Sequence, residues 1–480
     1  EEQMRVFKNP EDGAVKIVIA TNVAETSITI DDVVYVIDSG KMKETRFEPS
    51  KGMASLEETW VSQANATQRR GRAGRVTEGT CVHLFTSHKF DNHLLPQQPP
   101  EILRTPLEQL CLRIKTLPFL RGRIADVLAR VVEPPSAVAV QAAVVTLRTL
   151  RALTREETLT PLGFHLGRLP VDVRIGKLIL FGSIFHCLDP VLTIAAAMSI
   201  KSPFVAPFEK REMADRKKQQ FAVEMSDHLT LLNAYNAWQD SRKDGFAAER
   251  KFCYDNFLSG KTLAMIASVK RQLAELLSDI GFVQGDIRNR DIERRGGKNS
   301  DGVAEAVGEG PESLISRAHN LELVKAVLVA AMYPNVIKIK APPYTGKPPR
   351  PEELQLEVKG GEQVFIHPSS VNWRVGQYPS PFLVYLEKMR TSKVYVRDCS
   401  CVTPFALAFF GGKLTKDNNQ GVLNLDDGWI RFVADRKVAT VIEAVRTAFD
   451  ELLASKIAEP SMDVSKAPLI EAIVNLVTKG

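Results

Sequence analysis

The sequence predicts a multidomain protein in which an α/β segment is followed by a helical region and then by a small β-barrel. Two short apolar runs of the buried-strand kind lie near the start of the chain. From about residue 100 to residue 290 apolar residues recur at helical spacing, and beyond about residue 319 they alternate with polar residues. A chain of 480 residues has room for three or four domains, each with its own core.

The α/β prediction rests on two apolar runs, Lys16–Ala20 and Val33–Ile37. Their length and composition are typical of buried strands. The polar run Thr21–Ser27 connects them. We therefore expect an α/β domain over about the first hundred residues.

The helical prediction begins at about residue 100. Leu107, Leu110, Cys111 and Ile114 fall at positions i, i+3, i+4 and i+7, which places them on one face of a helix. Residues 291–318 differ, because they are rich in glycine and charged residues and lack an apolar period. Such a composition cannot bury a core, so we expect a flexible insertion there.

The barrel prediction rests on four segments that alternate apolar and polar residues and are separated by Gly/Pro turns. These are Val336–Lys340, Leu354–Val358, Lys393–Arg397 and Trp429–Val433. A closing amphipathic helix is predicted from one apolar stripe. The stripe consists of Val438, Val441, Val445, Phe449 and Leu452.

The composition is that of a globular protein without a membrane span. Apolar residues make up 44% and charged residues 25%, and no run of some twenty apolar residues is free of charge. The net charge of +6 is only weak evidence for a nucleic-acid partner. The six cysteines form no CxxC pair, so we expect no zinc or other metal site, no disulfides and a reducing compartment, the cytoplasm or possibly the nucleus.

The segment Gln68–Arg75 carries the strongest chemical signal. It places four arginines within seven residues, spaced by glycine and alanine. Arginine is always charged and planar, so such a cluster suits polyphosphate binding. The alternative is a solvated basic turn, which would not need Gly71 and Gly74 at those places.

Together with Thr21–Thr29, some forty residues upstream, Gln68–Arg75 resembles motifs V and VI of the DEAH-box (DEAH/RHA) ATP-dependent RNA helicases. Ser226–Leu229, Leu159–Gly163 and Phe409–Gly412 resemble further segments of that family. The resemblance implies a partial RecA-like α/β lobe, a winged helix, a helical ratchet bundle and an OB-type β-barrel with a C-terminal helix. The corresponding ranges are about 1–98, 99–168, 169–318 and 319–480.

The resemblance also implies an ATP site with Mg²⁺, whose ligands would lie mostly in a first lobe outside this sequence. Gln68 would position the attacking water, and Arg72 and Arg75 would act as arginine fingers. Ser27 would sense the nucleotide state, and Phe7 would stack on the adenine, although a core position for Phe7 is equally possible.

RNA is the partner that the resemblance implies, with Thr21, Asn22 and Lys43 holding its phosphates. An ordinary exposed lysine is the alternative for Lys43. The barrel adds basic and aromatic residues suited to single-stranded nucleic acid, although polar residues alternate along any exposed strand. They are Lys388, Arg390, Thr391 and Lys393, beside Tyr385 and Tyr395.

Two motifs that such a motor needs are missing from the sequence. There is no Asp-Glu-Ala-His run, and the one Gly-Lys-Thr, at 260–262, has Asp255 where a phosphate-binding loop needs glycine. The start at Glu1 without methionine also suggests a cut chain. We therefore expect a fragment that is inactive alone, taken from a helicase that is monomeric and 3′-to-5′ by resemblance, with possible protein activators. A non-catalytic RNA-binding scaffold and a DNA helicase are the alternatives.

Overall fold

The computed structural model describes residues 6–479 except 9, 11–12, 27–29, 49–52, 121, 298, 309–312, 344–348, 392, 418–420 and 427, and leaves out the side chains of 26, 45–48, 53–56 and 208. The chain divides into two compact units. Unit 1 comprises residues 1–106 and 130–136, and unit 2 comprises residues 107–129 and 137–480.

Unit 1 is a small α/β unit. Its helices are α1 (Val23–Thr26), α2 (Gln63–Arg70) and α3 (Ser87–His93), and its strands are β1 (Tyr35–Asp38), β2 (Lys41–Glu48), β3 (Met53–Trp60) and β4 (Thr80–His83). Strand β1 pairs in parallel with β4, and β2 and β3 form an antiparallel hairpin. A small core of Val61, Ala66 and Leu94 lies under α2.

The strand predicted at Lys16–Ala20 is wrong. This segment has no regular secondary structure, and Ile17 and Ile19 are 82% and 96% exposed. A buried parallel strand needs partner strands to satisfy its backbone. Within the described part of unit 1, the only parallel pair is β1 with β4. The strand predicted at Val33–Ile37 does form, shifted to Tyr35–Asp38.

Unit 2 begins with a helical part. Its helices are α4 (Glu108–Thr116), α5 (Ile124–Leu128), α6 (Ala137–Thr149), α7 (Pro161–Arg168), α8 (Val173–Ile184), α9 (Leu188–Met198), α10 (Arg211–Gln220), α11 (Asp227–Lys243), α12 (Phe246–Asp255), α13 (Gly260–Asp279), α14 (Asn289–Gly296), α15 (Val303–Val307) and α16 (Leu321–Met332). Helices α8, α9 and α16 are apolar on nearly every face and form the centre, as expected for helices enclosed by others.

The flexible insertion predicted at 291–318 is also wrong for the described residues. Helices α14 and α15 occupy part of it, and Ile292 and Val303 are fully buried. Between them, the Asp301 carboxylate lies 2.9 Å from the Lys270 ammonium and accepts a 2.7 Å hydrogen bond from the Tyr235 hydroxyl. Composition missed this order because a few buried apolar side chains and the contacts of Asp301, rather than a regular apolar period, hold the segment.

The barrel of unit 2 uses five strands: β5 (Val336–Lys340), β6 (Gln355–Val358), β7 (Phe365–Ile366), β8 (Phe382–Arg390) and β9 (Val394–Cys401). Their order is β6-β5-β8-β9-β7. The left-handed Gly360 and Gly361 turn the chain back after β6, and Val364 then donates to the Leu356 carbonyl, which closes the barrel. Cys399 and Cys401 lie in the barrel core as packing residues.

The remaining strands do not join the barrel as predicted. Strands β10 (Leu414–Asp417), β11 (Val422–Leu425) and β12 (Ile430–Val433) form a separate antiparallel sheet after helix α17 (Pro404–Phe410). The closing helix exists as α18 (Arg436–Ala458), followed by α19 (Pro468–Lys479). Its buried stripe is offset from the predicted one, because Val438 and Val441 are exposed while Ala439 is buried.

Among the described residues, no helix combines the length and apolarity needed to cross a membrane.

Candidate functional site

The arginine cluster lies at the C-terminal end of α2 and in the turn that follows. Ser62 caps the start of α2 by accepting a 3.1 Å hydrogen bond from the Asn65 backbone. Gln63 ties the same end to α3 through a 2.7 Å bond to the Phe90 carbonyl. This end of the helix is therefore anchored, and the opposite end presents the arginines. Cations are favourable there because helix C-termini carry negative potential.

Arg69 forms a structural ion-pair network with two carboxylates of unit 1, so its donors are not available to a phosphate. Its Nε donates to Glu25 Oε2 at 2.9 Å, and its Nη1 donates to Asp38 Oδ1 at 2.8 Å. These carboxylate side chains are only 6% and 1% exposed. The grouping of all four arginines as polyphosphate ligands was wrong for this one, because buried carboxylates already occupy its donors.

The ion-pair network of Arg69 joins three parts of unit 1. Glu25 belongs to α1, Asp38 ends β1, and Arg69 lies on α2. Asp38 also accepts from the Gly40 backbone at 2.9 Å and lies 3.3 Å from His83 Nδ1. Burial alone would lower the pKa of Arg69, but the hydrogen bonds that Arg69 donates to Asp38 and Glu25, and the charges of these carboxylates, raise it. Sequence reasoning missed both carboxylates, although Glu25 lies inside the quoted motif.

The predicted catalytic residues lie close to Arg69 in the chain. Gln68 and Arg75 are exposed and Arg72 is half-buried. Gly74 has no left-handed φ angle, and a Cβ added to it would meet no atom within 4 Å. The chain's own packing therefore does not require glycine at this position. A ligand that approaches the backbone closely would require it.

The two other predicted nucleotide contacts differ in what the structure says of them. Phe7 is 50% exposed among the described residues. Its loop is held by the Lys16 ammonium, which donates to the Val6 carbonyl at 2.9 Å and pairs with Asp32. Adenine stacking by Phe7 stays a prediction. Ser27 lies outside the described residues.

The predicted phosphate contacts of unit 1 lie on two elements. Thr21 and Asn22 are exposed just before α1. Lys43 is exposed on β2, directly opposite Glu58 in the hairpin register. Exposure suits both readings of Lys43, an RNA contact and an ordinary surface lysine.

The predicted barrel contacts are not equivalent. Lys388 Nζ lies 2.8 Å from Glu362, and its side chain is only 11% exposed. Arg390 is more exposed and lies 4.0 Å from the same carboxylate, and Thr391 donates its backbone N–H to Lys393 in the β8–β9 turn. Tyr385 lies in the barrel core and does not reach the surface.

An aromatic–basic strip, which sequence reasoning found only in part, runs along β7 and β9. It consists of Phe365, His367, Lys393, Tyr395 and Arg397. The Lys393 ammonium lies 4.3 Å from the Phe365 ring, and the Tyr395 ring is 6.3 Å from that ring. Arg397 Nη2 lies 3.2 Å from His367 Nε2. Strand alternation from Lys393 could have indicated Arg397, but only the parallel pairing of β7 with β9 brings in Phe365 and His367.

Metal ligands are not grouped in the described residues, where no cluster of three His, Cys, Asp or Glu side chains could hold an ion.

Four family models match the chain. The helicase conserved C-terminal domain matches residues 1–77, and the ratchet-like helicase associated domain (HA2) matches residues 172–231. The oligonucleotide/oligosaccharide-binding (OB) fold matches residues 324–414, and the C-terminal domain in RNA helicases matches residues 422–479. These matches follow the order of the α/β, helical and barrel parts, so the predicted fold class is confirmed.

Relatives match along almost the whole chain. DHX57 of Homo sapiens is 53% identical over 496 residues, which cover 100% of this chain and 36% of that protein. The ATP-dependent DNA/RNA helicase DHX36 of Homo sapiens is 45% identical over 461 residues, covering 95% and 43%. The DExH-box ATP-dependent RNA helicase DExH1 of Arabidopsis thaliana is 41% identical over 478 residues, covering 99% and 44%. The chain spans less than half the length of each.

Proposed function

Because this chain belongs to the DEAH-box family of ATP-dependent RNA helicases, we propose that it is the C-terminal portion of a motor that couples RNA-stimulated ATP hydrolysis to the unwinding or remodelling of RNA. The intact motor would move 3′-to-5′. Residues of about 1–98 would supply part of the second RecA-like lobe, about 99–168 a winged helix, about 169–318 the ratchet, and about 319–480 the OB fold with a C-terminal helix.

The main support for this proposal is the ion-pair network of Arg69. It holds the motif V segment, β1 and the motif VI helix in one arrangement through the carboxylates of Glu25 and Asp38. Positioning is the main task in phosphoryl transfer, because the protein does little covalent chemistry there. The ion-pair network of Arg69 fixes the end of α2, and Gln68 and Arg75 beside it are exposed to solvent, as positioning of a nucleotide would require.

Each of these side chains would have a definite task when ATP and Mg²⁺ are bound. The Gln68 amide can accept from and donate to a water, which orients that water for in-line attack on the γ-phosphate. Arg72 and Arg75 would stabilise the negative charge that the transferring phosphoryl group gathers. Phe7 and Ser27 would contact the adenine and report the state of the phosphates.

The apolar surface of unit 1 supports a larger assembly. Several large apolar side chains around β1 and β4 are more than 60% exposed: Val15, Ile17, Ile19, Tyr35, Ile37 and Leu84. Exposed apolar patches of this kind mark interfaces. We propose that the remainder of the lobe covers them in the longer protein and completes the parallel sheet.

RNA would bind along polar and aromatic surfaces of both units. In unit 1 these are Thr21, Asn22 and Lys43, which are exposed. In unit 2 the aromatic–basic strip offers rings for base stacking and cations for phosphates. Lys388 contributes less to this surface, because Glu362 already binds its ammonium.

We also propose that the protein works in the cytoplasm or nucleus, in line with six free cysteines. Imaging of a fluorescent fusion would test this.

A DNA strand is the second candidate substrate. The printed name of DHX36 includes both DNA and RNA. A stacking and phosphate-binding strip does not by itself distinguish the two, because only contacts to the 2′-hydroxyl do so. Competition between RNA and DNA oligonucleotides of one sequence for the intact protein would separate the candidates.

The test of the proposed function is Arg75→Ala in the intact protein. We expect RNA-stimulated kcat to fall roughly 10³-fold or more, the range known for arginine fingers. RNA affinity should stay within about twofold, because the lost charge acts on the nucleotide.

Arg130→Ala is the matched control, since Arg130 is an exposed arginine of unit 1 outside both motifs. It should leave kcat unchanged. Full turnover by Arg75→Ala with intact RNA binding would remove Arg75 from the active site.

A further inference from the structure

A cavity of about 300 Å³ lies within unit 2 where α7, α8, α17 and α18 meet. Its wall is mainly apolar and aromatic, as in sites that bind small organic molecules. The apolar lining includes Leu162, Phe181, Phe409, Phe410, Leu453 and Ile457. A space of this size is far larger than one water molecule needs.

The charged groups of the lining are three cations and one carboxylate. Asp450 accepts from Arg151 at 3.1 Å and from Arg446 Nε at 3.2 Å, so this carboxylate is already neutralised. Arg446 is fixed further by donating to the Ala408 and Gly411 carbonyls at the end of α17. Arg151 lies nearer the solvent, with a side chain that is 49% exposed.

Lys177 is the group whose charge is not balanced. It extends from α8 into the cavity lining, and no hydrogen bond or ion pair joins its ammonium to any described residue. Its nearest described ring is Phe181, whose centroid is 5.6 Å away. Burial, together with the charges of Arg151 and Arg446, lowers the pKa of Lys177 to about 7, and the charge of Asp450 opposes this shift. Lys177 is half-buried and has no ion-pair partner among the described residues, so its ammonium can accept an anion as partner.

We propose that this cavity binds a small organic anion, with a carboxylate or phosphate headgroup between Lys177 and Arg151 and an apolar body against the phenylalanines. An anionic headgroup would give Lys177 the partner that it lacks among the described residues. Charge-assisted hydrogen bonds to two cations would fix the headgroup. Because the lining comes from four helices, the ligand would link α7 and α8 to α17 and α18.

The alternative is a cavity that holds only water around a lysine. It predicts no preference for anions and no change in the protonation of Lys177 when a small molecule is added. The two readings therefore differ in what calorimetry measures.

The experiment is titration calorimetry on the 480-residue chain at pH 8 with 1-naphthoate, 1-naphthyl phosphate and neutral 1-naphthamide. Both anions should bind at least about tenfold more tightly than the amide, and comparing them separates the two headgroups. Lys177 is mostly neutral at this pH, and a bound anion will raise its pKa. Repeating the naphthoate titration in buffers of different ionisation enthalpy should therefore show uptake of close to one proton.

Two variants and a control complete the test. Lys177→Met should abolish the proton uptake and weaken naphthoate binding about tenfold, and it should fold because it replaces a half-buried amine that has no ion pair among the described residues. Arg151→Gln, on the more exposed side, should weaken binding to a similar extent. Arg155→Gln, an exposed arginine outside the cavity lining, should change neither quantity. Equal binding of all three probes, no proton uptake, or unchanged binding by both variants would overturn the proposal.

Discussion

Arg69 and Arg70 are neighbours of the same type in motif VI, yet their surroundings give them different tasks. The Arg69 guanidinium is 14% exposed and binds two buried carboxylates. Arg70 is exposed at the end of α2. Removing one partner of a buried ion pair leaves an uncompensated charge, which costs much more than losing a surface charge.

Arg69→Met should therefore destabilise unit 1 by about 2 kcal/mol or more, because Glu25 and Asp38 lose their counter-ion. Hydrogen exchange of the α2 amides measures this local stability. Arg70→Met is the matched control and should change it by less than about 0.5 kcal/mol. Equal protection in the two variants would show that the network does not hold α2.

His228 is a second residue whose task follows from its surroundings. It lies in the first turn of α11, is buried, and its Nδ1 is 2.8 Å from the Ser400 hydroxyl on β9. Burial lowers its pKa to about 4, which Asp227 opposes. The side chain is therefore neutral in the folded protein near pH 7, and its contact with Ser400 gives it a structural role.

The pH dependence of stability should reveal this histidine. Between pH 6.5 and 4 the unfolded chain binds more protons at this position, so the free energy of unfolding falls as the pH is lowered. From pH 7 to pH 5 the loss should be about 2 kcal/mol. His228→Gln should lose that much less in urea unfolding over the same interval. The exposed His319→Gln is the control, and an identical pH slope in both variants would contradict the prediction.

At the scale of elements, the first turn of α11 fastens the ratchet helices to the barrel. The Ser226 hydroxyl lies 2.6 Å from that of Ser400. Asp227 accepts from the Val371 and Cys399 backbone N–H groups at 2.8 and 3.0 Å. Three successive side chains thus hold β9 and the segment after β7, which explains why the Ser-Asp-His-Leu segment is a structural motif.

Helices α14 and α15 are held by the ion pair of Asp301 and Lys270 in a similar way. Burial raises the pKa of Asp301, but the charge of Lys270 and its hydrogen bond lower it to a net value below the ordinary one. The stabilisation is therefore present above the ordinary carboxylate pKa and is lost as the pH falls through the lowered pKa. The segment is part of the ratchet core, and its deletion should not be neutral.

Asp301→Asn should destabilise unit 2 by about 3 kcal/mol at pH 7, because it leaves Lys270 with Asp189 as its only counter-ion among the described residues. Urea unfolding measures this, and limited proteolysis should begin to cleave near α15. Asp291→Asn is the control, since that carboxylate is exposed and pairs only with Arg294 among the described residues. Preferential cleavage of the unaltered protein at 299–312 would restore the flexible insertion.

At the scale of the whole molecule, the 480-residue chain should bind RNA but not hydrolyse ATP. The sequence contains neither a phosphate-binding loop nor a DEAH box, and the proposed nucleotide site would need both. Binding of single-stranded RNA should be weak and should fall as salt rises, because phosphate contacts release counterions. Fluorescence anisotropy and a phosphate-release assay measure the two properties.

The barrel offers a matched pair for this measurement. Lys393→Ala should weaken RNA binding more than Lys388→Ala does, because Glu362 already binds Lys388. RNA-stimulated ATP turnover by the isolated chain would contradict the prediction that this chain does not hydrolyse ATP. Equal effects of the two lysines would remove the aromatic–basic strip as the RNA surface.

Local patterns were sufficient to predict much of this protein. The period-two segments predicted β5, β6 and β9, and the arginine spacing singled out Gln68–Arg75, which spans the end of α2 and the turn after it. Side-chain periodicity depends on the backbone geometry of each element, and motif chemistry depends on residue type. Both can be read from neighbouring residues.

Only the tertiary structure decided which of several charged residues that look alike in sequence form buried ion pairs. Arg69 and Asp301 look like solvent-exposed charges in sequence, but partners about thirty or more residues away bury and neutralise them. The exposure of Ile17 and the separate sheet of β12 likewise depend on which strands pair. Long-range pairing has no local signature, because a side chain's energy depends on what the fold places beside it.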